Sequence, residues 1–309
     1  MRPYSSVVGL YHLSESAQVP SILSVSLAQG GEIEDPTPGP TRGTVARYAS
    51  GEDYHRVLGE RLRAYESELR ALAGQAIRTR SYVDTGPVQE RAHAARAGLG
   101  WIGKNTCLID PELGSHLFLG VVITDLPLRP SAPEADRCGS CRACLDACPT
   151  QAFAAPYLLD ATRCLSYATI EQRGAIPEGM REAQGNRVFG CDTCQEVCPW
   201  NSRRRGRAAP DPLGLRARLA PRPEWRGPAL GWLLALGEED WRRATRRMAL
   251  RRAGYRGLLR SALVAAGNSG DPTLVSALQR HARGDDPLLA DHAAWALARI
   301  SEEKASPPR

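Results

Sequence analysis

Eight of the nine cysteines in this 309-residue chain fall between Cys138 and Cys198, and their spacing restricts the fold more than any other feature. The first run is Cys138-x-x-Cys141-x-x-Cys144-x-x-x-Cys148-Pro149. Cys164 follows, then Cys191-x-x-Cys194-x-x-x-Cys198-Pro199. Thiolates at two-residue spacings let a tight backbone wrap one corner of an iron–sulfur cube, while the cysteine ahead of proline points away to the neighbouring cluster. That rule assigns Cys138, Cys141, Cys144 and Cys198 to one 4Fe–4S cluster and Cys164, Cys191, Cys194 and Cys148 to a second. Two four-cysteine zinc sites are the alternative, and the Cys-Pro endings weigh against them. Clustered cysteines in a chain without an export signal point to metal in a reducing cytoplasm. No long apolar run follows Arg2, and the longest nearly apolar stretch, 229–237, is too short to span a bilayer.

The remaining chain divides around this region. Residues 21–27 read as a short buried strand and 30–43 as a loop. From Asp53 to about Ile77, Leu58, Leu62, Tyr65, Leu69, Leu72 and Ala76 fall on one helical face. Tyr82-Val83 reads as a brief strand and 88–98 as a helix stopped at Gly98. Cys107 to Ile109 and Leu117 to Thr124 read as two strands joined by a turn over 110–114. The fold class is therefore α+β and multidomain. An N-terminal α/β or α+β domain spans 1–130, a ferredoxin-like double-cluster domain 131–212, and a helical domain 213–309. Prolines and arginines over 199–228 mark a linker. A weak repeat of about 31 residues, Leu258, Ala262 and Ala265 matched by Leu289, Ala293 and Ala296, suggests HEAT-like helical pairs, with a plain helical bundle as the alternative. Asp271-Pro272 and Asp286-Pro287 fit helix starts.

Formal net charge is +6, but arginines crowd into 203–207 and 242–256. If 242–256 is one helix, Arg243, Arg247 and Arg251 form a row with Arg242 and Arg246 beside it. Such a stripe suits a polyanion, the alternative being a solvated helix face.

From Thr41 to about Ser202 the chain resembles the epoxyqueuosine reductase family of cobalamin-dependent tRNA-modifying enzymes. The resemblance rests on Arg47-Tyr48-Ala49, Asp53-Tyr54-His55, Val83-Asp84-Thr85-Gly86-Pro87, Gly100-Trp101-Ile102-Gly103-Lys104-Asn105-Thr106 and Phe118-Leu119-Gly120, together with the cysteine motifs. It implies reduction of a tRNA wobble-position epoxide, with electrons passing from two 4Fe–4S clusters to cobalamin. Asp84 matches the family's proton donor. An ordinary aspartate is ionised at neutral pH, so this role calls for a pKa raised by burial. The alternative is that Asp84 caps the following helix. The resemblance also implies corrinoid contacts at Ala46, Asp84, Gly103, Cys107, Phe118, Ser166, Cys191 and Asp192. Glycines over 100–103 would admit a flat macrocycle or only shape a turn. Asp53-Tyr54-His55 lacks the glycine of an Asp-x-His-x-x-Gly motif, so a corrinoid without a protein histidine ligand is implied, with His55 structural. Glu171 and Arg173 are candidates for the anticodon loop, and Arg243, Arg247 and Arg251 for stem phosphates. An external low-potential electron donor and a monomer are expected. The family carries roughly one further helix–strand unit ahead of this chain's start, which 1–20 does not clearly match.

Two other functions use similar parts. A corrinoid iron–sulfur reductive dehalogenase shares the cofactors but needs no basic tail, and an electron-transfer protein needs only the cysteine region.

Overall fold

A computed structural model describes residues 6–12, 21–28, 39–202 and 214–305. The arginine run 203–207, the segment 1–5 and most of the loop 30–43 lie outside the described residues.

Strands β1 (Ser6–His12) and β2 (Ser21–Ala28) form an antiparallel pair. After the two-residue β3 (Thr44–Val45) comes helix α1 (Tyr54–Leu72). Asp53 starts α1 by accepting His55 N–H at 3.0 Å, and the helix ends just ahead of Gly74 at φ 65°. Then follow β4 (Thr79–Tyr82), α2 (Glu90–Arg96), β5 (Trp101–Ile102), β6 (Leu108–Ile109) and β7 (Leu117–Thr124). Gly98, at φ 76°, closes α2 as Leu99 N–H returns to the Ala94 carbonyl.

The sheet runs β1-β2-β7-β4 with antiparallel neighbours throughout, so this region is α+β rather than a parallel α/β domain. Strand β7 carries the period-two alternation of a two-sided strand. Phe118 and Val122 pack with Val57, Leu58 and Leu62 of α1. Leu117 and Leu119 pack with Ala94, Leu99 and Leu108 on the opposite side. The expected hairpin between 107–109 and 117–124 is corrected: β6 pairs with β5, and β7 with β2 and β4. The turn between them is real, since Asp110 Oδ1 accepts the N–H groups of Glu112 and Leu113 at 2.7 Å each. Beyond it, Asn201 Oδ1 takes Ser115 N–H at 2.7 Å and leads the chain away.

The cysteine region carries short elements: α3 (Ala143–Asp146), β8 (Phe153–Ala155), β9 (Leu158–Leu159), α4 (Leu165–Ile170), α5 (Glu178–Gln184), β10 (Arg187–Phe189), α6 (Thr193–Glu196) and α7 (Pro199–Ser202). Strand β10 pairs in parallel with β3, tying this region to the N-terminal one. The C-terminal part contains α8 (Arg216–Leu219), α9 (Leu230–Ala235), α10 (Glu238–Ala244), α11 (Gly254–Asn268), α12 (Val275–Ala282) and α13 (Pro287–Ala305). The segment read as a linker thus carries α7 and α8. Asp271 and Asp286 cap the starts expected for them, accepting Thr273 N–H at 2.8 Å and Leu288 N–H at 2.9 Å. Among the described residues no helix is long and apolar enough to cross a membrane.

The repeated apolar triplets fall on α11 and α13, where all six residues are buried in one core. That core runs on into Ile170, Val188 and Phe189 of the cysteine region. The arginine stripe is corrected. Helix α10 ends at Ala244, Arg247 takes φ 59°, a 3-10 turn spans Ala249–Ala253, and Gly254 at φ 74° restarts the helix. A non-glycine residue at positive φ cannot continue an α-helix, so Arg243, Arg247 and Arg251 form no helical row. Arg243 pairs with Asp240 and Arg242 with Glu238, while the Arg251 guanidinium lies 5.9 Å from the Trp241 ring centre.

Gly267 marks the closest approach of α11 to α13, since a Cβ there would stand 2.7 Å from Ala296 Cα. Backbone cannot swing aside as a side chain can, so Gly267→Ala is expected to destabilise by about 1–3 kcal/mol, read as a lowered denaturation midpoint. An unchanged midpoint would show that the two helices separate freely.

Candidate functional site

The structure brings the eight cysteines into two groups. Burial pushes the Cys144 thiol up to about 11, and the neighbouring sulfurs of Cys198, Cys138 and Cys141 add to it. Cys164 is likewise raised by burial, then by Cys191 and Cys148. Cys194 is raised most by its contact with the Cys107 thiol and by burial, then by Cys191 and Cys164. Crowded thiols resist ionisation until a metal supplies positive charge. A donor already faces one of these sulfurs, Ala152 N–H reaching Cys148 Sγ at 3.3 Å, while the Cys191 thiol donates to the Thr193 hydroxyl oxygen at 3.4 Å. N–H groups of Ser166 and Tyr167 face Cys164, and those of Trp200 and Asn201 face Cys198. An all-sulfur donor set ringed by N–H groups fits iron–sulfur clusters. Among the described residues no three Cys, His, Asp or Glu side chains converge on one metal ion.

Cys107 packs against Cys194, and its N–H meets Asn105 Oδ1 at 3.2 Å. A Cβ at Gly100 would lie 2.1 Å from the Ile109 carbonyl oxygen, and one at Gly103 2.4 Å from Ile109 Cδ1. These glycines are needed for the packing of 100–103 against β6.

A second group joins α1 to the loop after β4. Asp53, at the N-terminus of α1, bonds His55 Nδ1 at 2.7 Å, and His55 Nε2 stands 3.4 Å from Asp84 Oδ2. Tyr54, the residue between, hydrogen-bonds Asp84 and stacks on Phe118 with ring centres 4.7 Å apart. Asp84 sits at φ 58°, and its N–H donates to Glu90 Oε1 at 2.5 Å. Two carboxylates facing one imidazole raise His55 to about 9, Asp53 contributing most. The His55 hydrogen bond holds the Asp84 carboxyl below the usual range, and its side chain is 62% exposed. Burial instead acts on Glu90, raised to about 7, a residue that no sequence motif singled out above. Both ring nitrogens of His55 are engaged by carboxylates.

The other candidates are placed as follows. Ala46 and Phe118 are buried. Asp192 accepts Arg47 N–H at 2.7 Å, and burial pushes its carboxyl up to about 6. Ser166 lies in the first turn of α4, two residues after Cys164. Glu171 makes a bidentate pair with Arg252, and Arg173 donates to the carbonyls of Arg252 and Ala253 at 3.0 and 2.9 Å. Arg247 lines a groove of about 380 Å³ with Glu52, Arg218 and Arg222. The sequence reading missed Arg218 and Arg222, which lie outside the counted arginine clusters.

Fold and site together define an iron–sulfur protein with a carboxylate–imidazole group at the start of α1. Residues 137–201 match the 4Fe–4S double cluster binding domain, and 15–85 match the family model for epoxyqueuosine reductase QueG. The epoxyqueuosine reductase of Xanthomonas campestris is 45% identical over 262 residues, covering 83% of this chain and 70% of that one. That of Escherichia coli is 41% identical, covering 86% and 68%. A crystal structure of an epoxyqueuosine reductase with a tRNA-Tyr epoxyqueuosine-modified stem loop superposes with a TM-score of 0.83 at 37% identity, covering 91% of this chain and 73% of that one. The chain belongs to the epoxyqueuosine reductase family.

The His55 pair has a pH signature. Its folded pKa of about 9 exceeds the ordinary 6.5, so its stabilisation is fully present below about pH 6.5 and lost as pH rises through about 9. The melting-temperature gap between wild type and His55→Gln is expected to be widest at about pH 6.5 and just below, and to close as pH rises through about 9. A gap independent of pH would exclude the protonated pair.

Proposed function

We propose that the chain reduces the epoxide of epoxyqueuosine in tRNA to the cyclopentene of queuosine, an oxidoreductase reaction carried out in the cytoplasm. The observation that carries this reading is the Asp53–His55–Asp84 group beside the double-cluster fold, in a chain of this family. Cys138, Cys141, Cys144 and Cys198 would hold one 4Fe–4S cluster, and Cys148, Cys164, Cys191 and Cys194 the other. Ala46, Gly103, Cys107, Phe118, Ser166, Cys191 and Asp192 would line a cobalamin. Small side chains at Ala46, Gly103 and Ser166 suit a flat macrocycle, and Asp192 suits its amide rim. When bound, the corrinoid supplies a strongly reducing cobalt, fed with electrons by the clusters from an external low-potential donor.

This chain's own residues manage the proton. At neutral pH one proton is shared by His55 and Asp84 and rests mainly on His55. As charge develops on an epoxide oxygen, Asp84 can deliver a proton drawn from His55 Nε2, which leaves a neutral imidazole held in place through its Nδ1 contact with Asp53. This removes the need for a buried, neutral aspartate. An electron carrier would have no use for such a group.

We assign tRNA contact to the exposed Arg243, Arg247 and Arg251, with Glu171 and Arg173 at the anticodon side. The organisation proposed is a corrinoid-binding region 1–130, a double-cluster region 131–212 and a HEAT-like region 213–309, acting as a monomer.

Asp84→Asn keeps shape and removes the acid. It is expected to bind cobalamin and tRNA normally while losing turnover by about 100-fold or more, measured by nucleoside analysis of single-turnover reactions. Wild-type turnover in this variant would remove Asp84 from the chemistry. Replacing Arg243, Arg247 and Arg251 together by Gln is expected to flatten the salt dependence of tRNA affinity and leave cofactor content unchanged. Equal affinity to wild type at every salt concentration would place the tRNA elsewhere.

A further inference from the structure

The segment 101–107 grips both cysteine groups, and the proton chemistry makes no use of it. Buried Trp101 packs with Ile109 and Cys198 and donates its indole N–H to Cys138 Sγ at 3.5 Å. Its ring meets Trp200 edge-on, with centres 4.9 Å apart, which fixes the direction of that N–H. Three residues on, Lys104 Nζ donates to the carbonyls of Gly139 and Cys141 at 2.6 and 2.9 Å. An ammonium is therefore seated in the loop joining two ligands of one group. Toward the other group the segment offers only neutral contacts: Asn105 Nδ2 reaches the Cys194 carbonyl at 3.2 Å, and the Cys107 thiol touches Cys194.

Backbone N–H groups face sulfurs in both groups, so they do not separate the two. Cations stand near both groups as well, since Arg187 donates to the Thr193 hydroxyl at 2.8 Å and Arg163 to the Thr150 carbonyl at 2.9 Å beside the second, while Asp136 accepts Cys138 N–H at 2.7 Å in the first. The indole N–H on Cys138 and the Lys104 ammonium are what 101–107 adds to the first group. Cluster potentials respond to net charge, hydrogen bonds to sulfur and solvent exposure. Reduction adds one negative charge, which a fixed cation and a donated N–H both stabilise. We propose that Trp101 and Lys104 raise the potential of the cluster held by Cys138, Cys141, Cys144 and Cys198 and so favour it as the entry point for electrons from an external donor. Cys141 in this group is solvent-exposed, which suits electron entry there. The inference rests on reading the eight cysteines as two 4Fe–4S sites.

The test uses full-length protein reconstituted anaerobically, as wild type, Trp101→Phe and Lys104→Gln. Iron and sulfide are counted, and reduction is followed by electron paramagnetic resonance across a potential titration. Wild type is expected to carry about eight irons and about eight sulfides with two reduction waves. In both variants the same wave is expected to move to lower potential while the other stays. Full iron content with neither wave moved, or with different waves moved, overturns the proposal. Wild type lacking two waves overturns the cluster reading itself. If Trp101→Phe loses iron, Lys104→Gln decides alone, because Lys104 is half-exposed and outside the core.

Discussion

The fully buried guanidinium of Arg260 fixes how the parts of this protein meet. It lies inside α11 and donates to the carbonyls of Ala168 at 2.6 Å, Gln172 at 2.8 Å and Gly174 at 2.6 Å. Burial lowers its pKa to about 10, which still leaves it charged at neutral pH. A buried charge is tolerated only when hydrogen bonds replace water, and here carbonyls at and beyond the end of α4 do so. Helix α4 begins directly after Cys164, so the same bonds set the C-terminal helices against a cysteine of the second group. Around this point the interface is polar and largely hydrogen-bonded, although Arg260 Nε and Gln184 Oε1 find no partner among the described residues. Ile176 N–H donates to His292 Nε2 at 3.1 Å, and Gln184 Nε2 donates to the Ser261 carbonyl at 2.9 Å. Such directional contacts specify one docking geometry where apolar packing alone would admit several.

Strand β7 divides the N-terminal region by its alternation. The Phe118 side carries α1, Tyr54 and His55, and the adjoining β4 delivers Asp84. The Leu117 side carries α2 and Leu108, from which the 101–107 segment reaches the cysteines. Groups suited to holding a proton and groups touching the cysteines therefore come from different elements. A change in one can leave the other intact, because the shared strand is held by its ladder and by packing on both faces.

Much of this was legible in the sequence, for reasons that differ by element. Helix α1 shows a four-and-three apolar rhythm and an aspartate cap, both local signals, so only its end was misjudged. The cysteine motifs are read directly because ligand spacing is itself the geometry. The 107–124 region misled because two adjacent strand-like runs with a good turn imitate a hairpin. Their partners, β5, β2 and β4, are chosen by tertiary packing. The Arg243–Arg251 stripe failed because Arg247 adopts φ 59°, which nothing in its residue type announces. The neighbour that acts most on Asp84, His55, lies 29 residues earlier, a separation that no local pattern bridges.

Under the proposed chemistry, the Asp53–His55–Asp84 group can hold an acid at neutral pH without burying it. Burial would keep Asp84 protonated, but a carboxyl that is 62% exposed cannot be kept neutral by desolvation. A histidine between two carboxylates achieves the same supply differently. Asp53 has two tasks: it caps α1 through His55 N–H and fixes the ring through Nδ1, which directs Nε2 at Asp84. The imidazole thus rides on a rigid helix, while Asp84 rides on a loop whose backbone is already in a strained region.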